Sequence, residues 1–128
     1  MALSATTLLL CDLVWEDPVS RNITLLGVFT ALRATRFPSP QRSLSLYTLL
    51  LGRPDETGRL LLECVDVASG TTDRLAHGSV TIGQEGHRHA NFRLDRFRFP
   101  RPGRFMFRLT CDGHLIAQHT VTLKEAGS

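Results

Sequence analysis

Two histidines one residue apart, His87 and His89 in the segment HRH, have the spacing in this chain that best suits a metal site. Side chains at positions i and i+2 of a strand point to the same side, so both imidazoles could face one ion, with His77, His114 or His119 as a third ligand. A metal site needs three or four converging ligands, and no paired carboxylate or cysteine lies nearby in the sequence. We therefore predict no metal and no other cofactor, and keep only His87 and His89 as metal candidates.

Three cysteines are the candidate nucleophiles of the chain: Cys11, Cys64 and Cys111. They are odd in number, far apart and without a C-x-x-C pair, which argues against a disulfide framework and a zinc ribbon. Each falls among apolar strand residues, where a buried thiol is usually unreactive. A pair of Cys111 with His114 is disfavoured because both flank one turn, and neither G-x-S-x-G nor G-x-x-x-x-G-K occurs. We predict that the protein is not an enzyme.

Arginines alternate with phenylalanines in NFRLDRFRFPRPGRFMFRL, residues 91–109. Such a segment could bind nucleic acid if the arginines formed a stripe and the aromatic rings faced solvent. The stripe would consist of Arg93, Arg98, Arg104 and Arg108 on one outer face. The phenylalanines are, however, the best core residues of the chain, so we expect them to be buried and the arginines to be a solvated face. A polyanion-binding or nucleic-acid-binding module is therefore the alternative interpretation.

Short apolar or alternating runs bounded by Gly, Pro, Asp and Asn recur along the whole chain, and no useful window has a period of 3.6 residues. This pattern predicts about eight strands: 6–15, 23–34, 43–51, 59–69, 75–82, 92–99, 104–111 and 115–123. Eight strands with a turn signal every ten or so residues are typical of a two-sheet antiparallel β-sandwich of the immunoglobulin-like kind. A closed barrel is the alternative, and residues 70–74 and 83–90 are expected to form loops.

The third strand is apolar on both faces. Leu44, Leu46, Thr48 and Leu50 share one face, and Ser45, Tyr47, Leu49 and Leu51 share the other. An apolar second face needs a cover, so we predict Tyr47, Leu49 and Leu51 as an interface. Farther along, the side-chain alternation changes phase near Asp95 and Arg96, which predicts a β-bulge there.

Three further side chains are expected to be inward or nearly so. Trp15 should be core or core-edge, because a single Trp in a small β-domain usually is. Leu115 and His119 fall in the inward phase of the last strand, and His119 should be a core-edge histidine with its hydrogen bonds satisfied.

Length and composition indicate one domain. The 128 residues, 42% of them apolar, can form a single core without metals or disulfides, over residues 1–128 with a short polar tail at 124–128. No apolar run approaches the ~20 residues of a membrane span. Unpaired cysteines fit a reducing compartment, so we expect a cytoplasmic protein. The formal charge is +3, with arginine supplying every basic residue except Lys124.

Several segments resemble a known family of small, uncharacterised bacterial proteins that is recognised only as a domain of unknown function. They are LLLCDLV, NITLLGVFTAL with the Phe-Pro break after it, and LDRFRFPRPGRFMFRLTCDGHLIAQHTVTL; residues 53–90 have no distinctive motif. The C-terminal half is also similar to immunoglobulin-like domains. The resemblance implies a β-sandwich in a bacterial cytoplasm, and it implies no activity.

These observations favour a non-enzymatic module that works by protein contact, as a homo-oligomer or as an accessory subunit of a bacterial assembly. Protein partners or self-association are expected, nucleic acid is the less favoured partner, and no membrane contact is expected.

Overall fold

A computed structural model describes residues 3–126, and no helix occurs among them. The range contains eleven strands: β1 Ser4–Ala5, β2 Leu9–Cys11, β3 Leu13–Glu16, β4 Ile23–Leu26, β5 Ala31–Ala34, β6 Arg42–Leu51, β7 Thr57–Asp66, β8 Thr72–Thr81, β9 His87–Phe97, β10 Gly103–Cys111 and β11 His114–Glu125. The prediction of an all-β chain is confirmed.

The strands form three sheets. In the four-stranded sheet, β6 pairs with β9 on one side and with both β1 and β2 on the other. The five-stranded sheet has the order β5-β11-β10-β7-β8. The two-stranded sheet is the hairpin of β3 and β4. Pairing is antiparallel throughout, except that β11 pairs with β5 in parallel.

One hydrophobic cluster joins the two larger sheets. β6 contributes Leu44, Leu46 and Leu50, and β10 contributes Phe105 and Phe107. The strict alternation of both strands turns these residues to one side. The expected phase of the third strand and the burial of the phenylalanines are therefore confirmed.

Phe99 lies at the centre of an aromatic group in this core. Its ring centroid is 4.7 Å from that of Phe97 and 5.3 Å from that of Phe105, in edge-to-face geometry. Both Phe97 and Phe99 reach the core because β9 shifts register against β6 between Leu94 and Phe97, and Arg96 in that step has a φ of 58°. The predicted bulge near Asp95 and Arg96 is confirmed. The loops predicted before and after the strand at 75–82 are partly wrong, because β8 already begins at Thr72 and β9 already begins at His87.

The first two predicted strands are wrong because each is interrupted in the structure. The segment 6–15 contains two strands, β2 and β3, because the chain leaves the four-stranded sheet at Asp12. The segment 23–34 also contains two, β4 and β5, separated at Gly27, which has a φ of 69°. These two breaks release the hairpin of β3 and β4 from both large sheets.

The last strand differs from prediction at both ends. Leu115 is 54% exposed, because the register shifts between Leu109 and Thr110 so that Ala117 pairs with Leu109 but Leu115 pairs with Thr110. That extra residue reverses the inward phase near the turn. At the other end β11 continues through Glu125, so the predicted tail at 124–128 begins too early; residues 127–128 lie outside the described range.

Candidate interaction surface

The hairpin of β3 and β4 has one apolar face that points away from the molecule. Its register pairs Leu13 with Leu26 and Trp15 with Thr24, and cross-strand partners lie on the same side of a ribbon. Leu13, Trp15 and Leu26 are 40%, 49% and 50% exposed. We call Leu13, Trp15, Thr24 and Leu26 the hairpin face. The expectation that Trp15 lies in or beside the core is wrong.

Asp12 holds the base of the hairpin. Its backbone N–H donates to the Leu26 carbonyl at 3.0 Å, and its carboxylate accepts a 2.7 Å hydrogen bond from Arg42 of β6. The Asp12 side chain fills the space beside Gly27, where an added Cβ would lie 2.3 Å from Oδ2. Only glycine fits that position, which also has a left-handed φ.

The tip of the hairpin is closed by Asp17. Its carboxylate accepts hydrogen bonds from the backbone N–H groups of Val19 at 2.8 Å and Ser20 at 3.3 Å. These bonds lower the pKa of the Asp17 carboxyl below its usual value. Arg21 and Glu16 form an ion pair at 3.1 Å across the same end. The turn therefore has its own polar closure.

A groove of ≈ 610 Å³ lies between the inner side of the hairpin and the outer face of the four-stranded sheet. Val14 and Ile23 line it from the hairpin, and Tyr47, His87 and His89 line it from the sheet. The volume lies within the range of small-molecule sites, but polar side chains make up much of the lining.

The two candidate metal ligands lie in this groove on one side of β9. Their rings are 6.2 Å apart between centroids, Tyr47 Oη hydrogen-bonds to His89 Nδ1, and His87 Nε2 lies 3.3 Å from Glu85 Oε2. Burial raises the pKa of the Tyr47 hydroxyl. Within residues 3–126 no group of three or more His, Cys, Asp or Glu side chains is arranged to hold a metal ion. The geometry therefore supports hydrogen bonding at His87 and His89.

The predicted interface residues Tyr47, Leu49 and Leu51 do share the outer face of β6. Tyr47 and Leu49 are half-buried, and Leu51 is 39% exposed. Their partners across the ladder are Asn91, His89 and His87 of β9 in that order. The structure thus brings the interface candidates and the metal candidates onto one face.

The four arginines do not share one face. Arg93 lies on β9 of the four-stranded sheet, Arg98 follows β9, and Arg104 and Arg108 lie on β10 of the five-stranded sheet. Because both sheets turn their apolar side chains to the common core, arginines on their outer faces point to opposite sides. Arg93 is paired with Asp95 at 3.2 Å and Arg108 with Glu63 at 3.1 Å. The prediction of a single stripe is wrong for this reason.

The three cysteines are free and buried, as expected. Burial raises the pKa of each thiol, and raises that of Cys64 to about 12 with smaller contributions from Asp73 and Asp66. A thiol with so high a pKa has almost no thiolate at neutral pH. Cys64 therefore lacks the low pKa that activates a catalytic thiol.

His119 is the core-edge histidine that the sequence predicts, with a backbone carbonyl oxygen near each ring nitrogen. Nδ1 lies 3.1 Å from the Leu8 carbonyl oxygen, and Nε2 lies 3.1 Å from the Phe29 carbonyl oxygen. The imidazole thus links β11 to the segment before β2 and the segment before β5.

The hairpin face was the feature that sequence analysis missed. LVWE and ITLL do alternate in register, which was the available signal, but the continuous apolar runs around them favoured longer strands. Exposure of Trp15 follows from the departure of the chain at Asp12, which local patterning does not encode.

Comparison with known families assigns nearly the whole chain to one family. Residues 6–124 match the profile of DUF6941, a family of unknown function. The chain belongs to this family. A search of curated proteins found no match to this DUF6941 chain.

Solved structures similar to this DUF6941 chain are parts of much larger proteins. The alkylpurine DNA glycosylase AlkC of Pseudomonas fluorescens, bound to DNA containing an abasic site analog, aligns with 96% of this chain and 30% of its own, at 12% identity and a TM-score of 0.53. A β-glucosidase of Listeria innocua aligns with 95% of this chain and 16% of its own, at 11% identity and a TM-score of 0.56.

The β-glucosidase EmGH1 of Erythrobacter marinus aligns over 95% of this chain and 15% of its own, at 10% identity and a TM-score of 0.60. This chain thus spans less than a third of each of the three proteins. At such identities the similarity concerns the fold alone.

Among the described residues there is no helix with the length and apolar character to cross a membrane.

Proposed function

We propose that this protein is a non-enzymatic protein-interaction module, acting as a homo-oligomer or as an accessory subunit of a bacterial assembly. The observation that supports this proposal is the hairpin face, where Leu13, Trp15 and Leu26 are each 40% or more exposed. Large apolar side chains grouped on one outer surface favour burial against a partner. Trp is also among the residues that most often dominate the energy of an interface.

The construction of the hairpin supports the same proposal. A two-stranded ribbon is marginally stable in water, and this one is tied to the sheets mainly at its base by Asp12 and Arg42. Covering its outer face would add apolar burial that the isolated chain lacks. At ~25 cal/mol per Å² of apolar surface, even a modest contact there would stabilise the hairpin.

We also propose an immunoglobulin-like fold and a cytoplasmic location for this protein. Two larger sheets around one core, with β5 pairing in parallel with the last strand β11, support an immunoglobulin-like β-sandwich. Three unpaired, buried thiols support a reducing compartment, and we place the protein in the cytoplasm.

The test is the molar mass of the purified protein by light scattering, for the wild type and a Leu13→Ser, Trp15→Ser variant. We expect a multiple of the 14.2 kDa chain that falls to the monomer in the variant. If the wild type is a monomer, the expected result is a host protein that cross-links to the wild type and not to the variant.

A Val67→Ser, Leu115→Ser variant is the matched control, because these side chains are 42% and 54% exposed but lie away from the hairpin. It should behave as the wild type does. Identical assembly and cross-linking of all three proteins would refute the hairpin face. A Leu49→Ser, Leu51→Ser variant then tests whether the outer face of β6 belongs to the same interface; unchanged assembly would remove Tyr47, Leu49 and Leu51 from it.

A further inference from the structure

The two large sheets leave an open seam on one side of the molecule. β8 is the last strand of the five-stranded sheet, and β9 is the last strand of the four-stranded sheet on that side. A cleft of ≈ 310 Å³ separates them. No further strand pairs with β8 within residues 3–126.

The backbone of β8 has hydrogen-bonding groups that point into this open side. The Ile82 N–H donates to the Glu56 carbonyl, and the Ile82 carbonyl accepts from the Asp55 N–H. The backbone polar groups of Ile82 therefore point toward the β7 side. Antiparallel bonding alternates, so His77, Ser79 and Thr81 direct their N–H and C=O groups the other way. Arg88 of β9 donates to the Thr81 carbonyl at 3.1 Å. We call residues 75–81 the β8 edge.

The β8 edge has little of the usual protection against strand pairing. Natural edge strands carry lysine, proline or inward charges, or are kept short. β8 has ten residues, and positions 75–82, LAHGSVTI, include no charged residue and no proline. A Cβ added at Gly78 would meet nothing within 4 Å, so the cleft is open beside this residue. The one irregularity is a register shift near Leu75, at the start of the edge.

The surroundings of the edge define the partner. The cleft has an apolar floor of Leu60, Val80, Ala90 and Phe92. Side chains of an added strand that continue the inner face of the sheet would enter this cleft. The charged residues at the rim are mostly basic: Arg88 lines the cleft, and Arg74 and Arg59 lie beside His77 on the outer side, together with Asp112. No acidic residue lines the cleft.

We propose that the β8 edge binds an extended, acidic segment of a partner protein by strand addition, with apolar side chains at every second position entering the cleft. Main-chain hydrogen bonds to His77 and Ser79 would provide the affinity, and the alternate pockets and basic rim would provide the selectivity. This inference rests on the proposed function, because it names one partner chemistry for a protein that acts by contact. It uses a surface separate from the hairpin face.

The probe is a capped seven-residue peptide, Glu-Val-Thr-Val-Glu-Val-Thr, whose Val residues would enter the cleft. Amide hydrogen exchange of the ¹⁵N-labelled protein, read by NMR, reports strand addition directly. We expect slower exchange of the His77 and Ser79 N–H groups as the peptide is added. Unchanged exchange at these two positions at the highest soluble peptide concentration would overturn the proposal.

Two isomeric peptides make the test specific for backbone pairing. N-methylation of the central Thr and Glu removes the N–H groups that would face β8, whereas N-methylation of two Val residues removes N–H groups that face away. The first should bind at least about tenfold more weakly than the second, because two hydrogen bonds are lost. Equal binding of both isomers would overturn the proposal.

Protein variants give the reciprocal test. Ser79→Pro removes an outward N–H without breaking the ladder to β7 and should abolish binding, whereas Ser79→Thr keeps the N–H and should bind as the wild type does. If light scattering shows a dimer that Ser79→Pro converts to a monomer, a second copy of this chain pairs with the β8 edge. The proposal of an acidic segment from another protein would then be wrong.

The hairpin variant separates this inference from the proposed function. Leu13→Ser, Trp15→Ser should bind the peptide as well as the wild type does, since the substitutions lie outside the β8 edge. Peptide binding with no hairpin-dependent assembly would refute only the hairpin face. Hairpin-dependent assembly with no peptide binding would refute only the β8 edge.

Discussion

At the scale of single residues, Thr48 is the clearest conflict between position and chemistry. It lies on the inward face of β6 between Leu46 and Leu50, and no part of it reaches solvent. Its Oγ1 has no hydrogen-bond partner. A buried hydroxyl without a partner loses its bonds to water on folding and regains none, which costs free energy. The sequence predicted the inward position correctly but contained no sign that the hydroxyl would be unpaired.

Thr48→Val should stabilise the protein. The side chains have almost the same shape, so the variant removes the unpaired hydroxyl and adds apolar contact; we expect the free energy of unfolding to rise by about 1 kcal/mol. Urea unfolding followed by tryptophan fluorescence would measure it. Thr48→Ala is the control, because it also deletes a buried methyl group and should be less stable than Thr48→Val. A Val variant no more stable than the wild type would contradict this account.

At the scale of elements, prediction succeeded where one strand kept one phase. β6, β7 and β10 alternate without interruption, and their predicted limits differ from the structure by no more than three residues. The phase change in β9 was also readable, because Phe92 and Leu94 precede it and Phe97 and Phe99 follow it.

Prediction failed where tertiary contacts break a continuous apolar run. Nothing local in LLLCDLVWE requires the chain to leave the sheet at Asp12. The break depends on Arg42, which is distant in sequence, and on Gly27, which directly follows β4. The candidate surface was therefore only half predictable. Tyr47, Leu49 and Leu51 follow from alternation along one strand, whereas exposure of Trp15 depends on where the hairpin sits.

Gly27→Ala tests the element directly. The left-handed φ costs a non-glycine residue about 1–2 kcal/mol, and the new Cβ would also displace the Asp12 carboxylate from its place beside Arg42. We expect a loss of roughly 2 kcal/mol or more in the free energy of unfolding, measured with urea. Gly113→Ala is the comparison, because its φ is also left-handed but its added Cβ meets nothing within 4 Å.

A double-mutant cycle separates the two causes. In Asp12→Ala, Gly27→Ala the carboxylate is absent, so only the backbone strain should remain and the double variant should lose less than the sum of the single losses. Asp12→Ala alone should cost up to about 1 kcal/mol, because its ion pair with the partly exposed Arg42 is lost. Strictly additive losses would show that the Cβ added at position 27 does not displace the Asp12 carboxylate.

At the scale of the whole molecule, charge is dispersed. The formal charge is +3 from fifteen basic and twelve acidic residues, and several arginines are paired with carboxylates, including Arg101 with Asp66 at 2.6 Å. Arg93 and Arg108 lie on opposite sides of the core. A polyanion following one surface would therefore meet few unpaired cations. The distribution argues against nucleic acid as the main partner, although composition alone left that alternative open.

The salt dependence of DNA binding measures this dispersal. Each neutralised phosphate contributes about −0.9 to the slope of log K against log salt, so contact with one or two phosphates predicts a slope of about −1 to −2. Replacing Arg93, Arg98 and Arg108 by Gln should change this slope no more than replacing Arg33, Arg36 and Arg74, because both variants remove three charges from scattered positions. A steep slope of about −4 or beyond, lost only in the first variant, would mean that the arginines act together on one ligand. That result would restore the polyanion-binding interpretation, since no dispersed set of surface charges produces it.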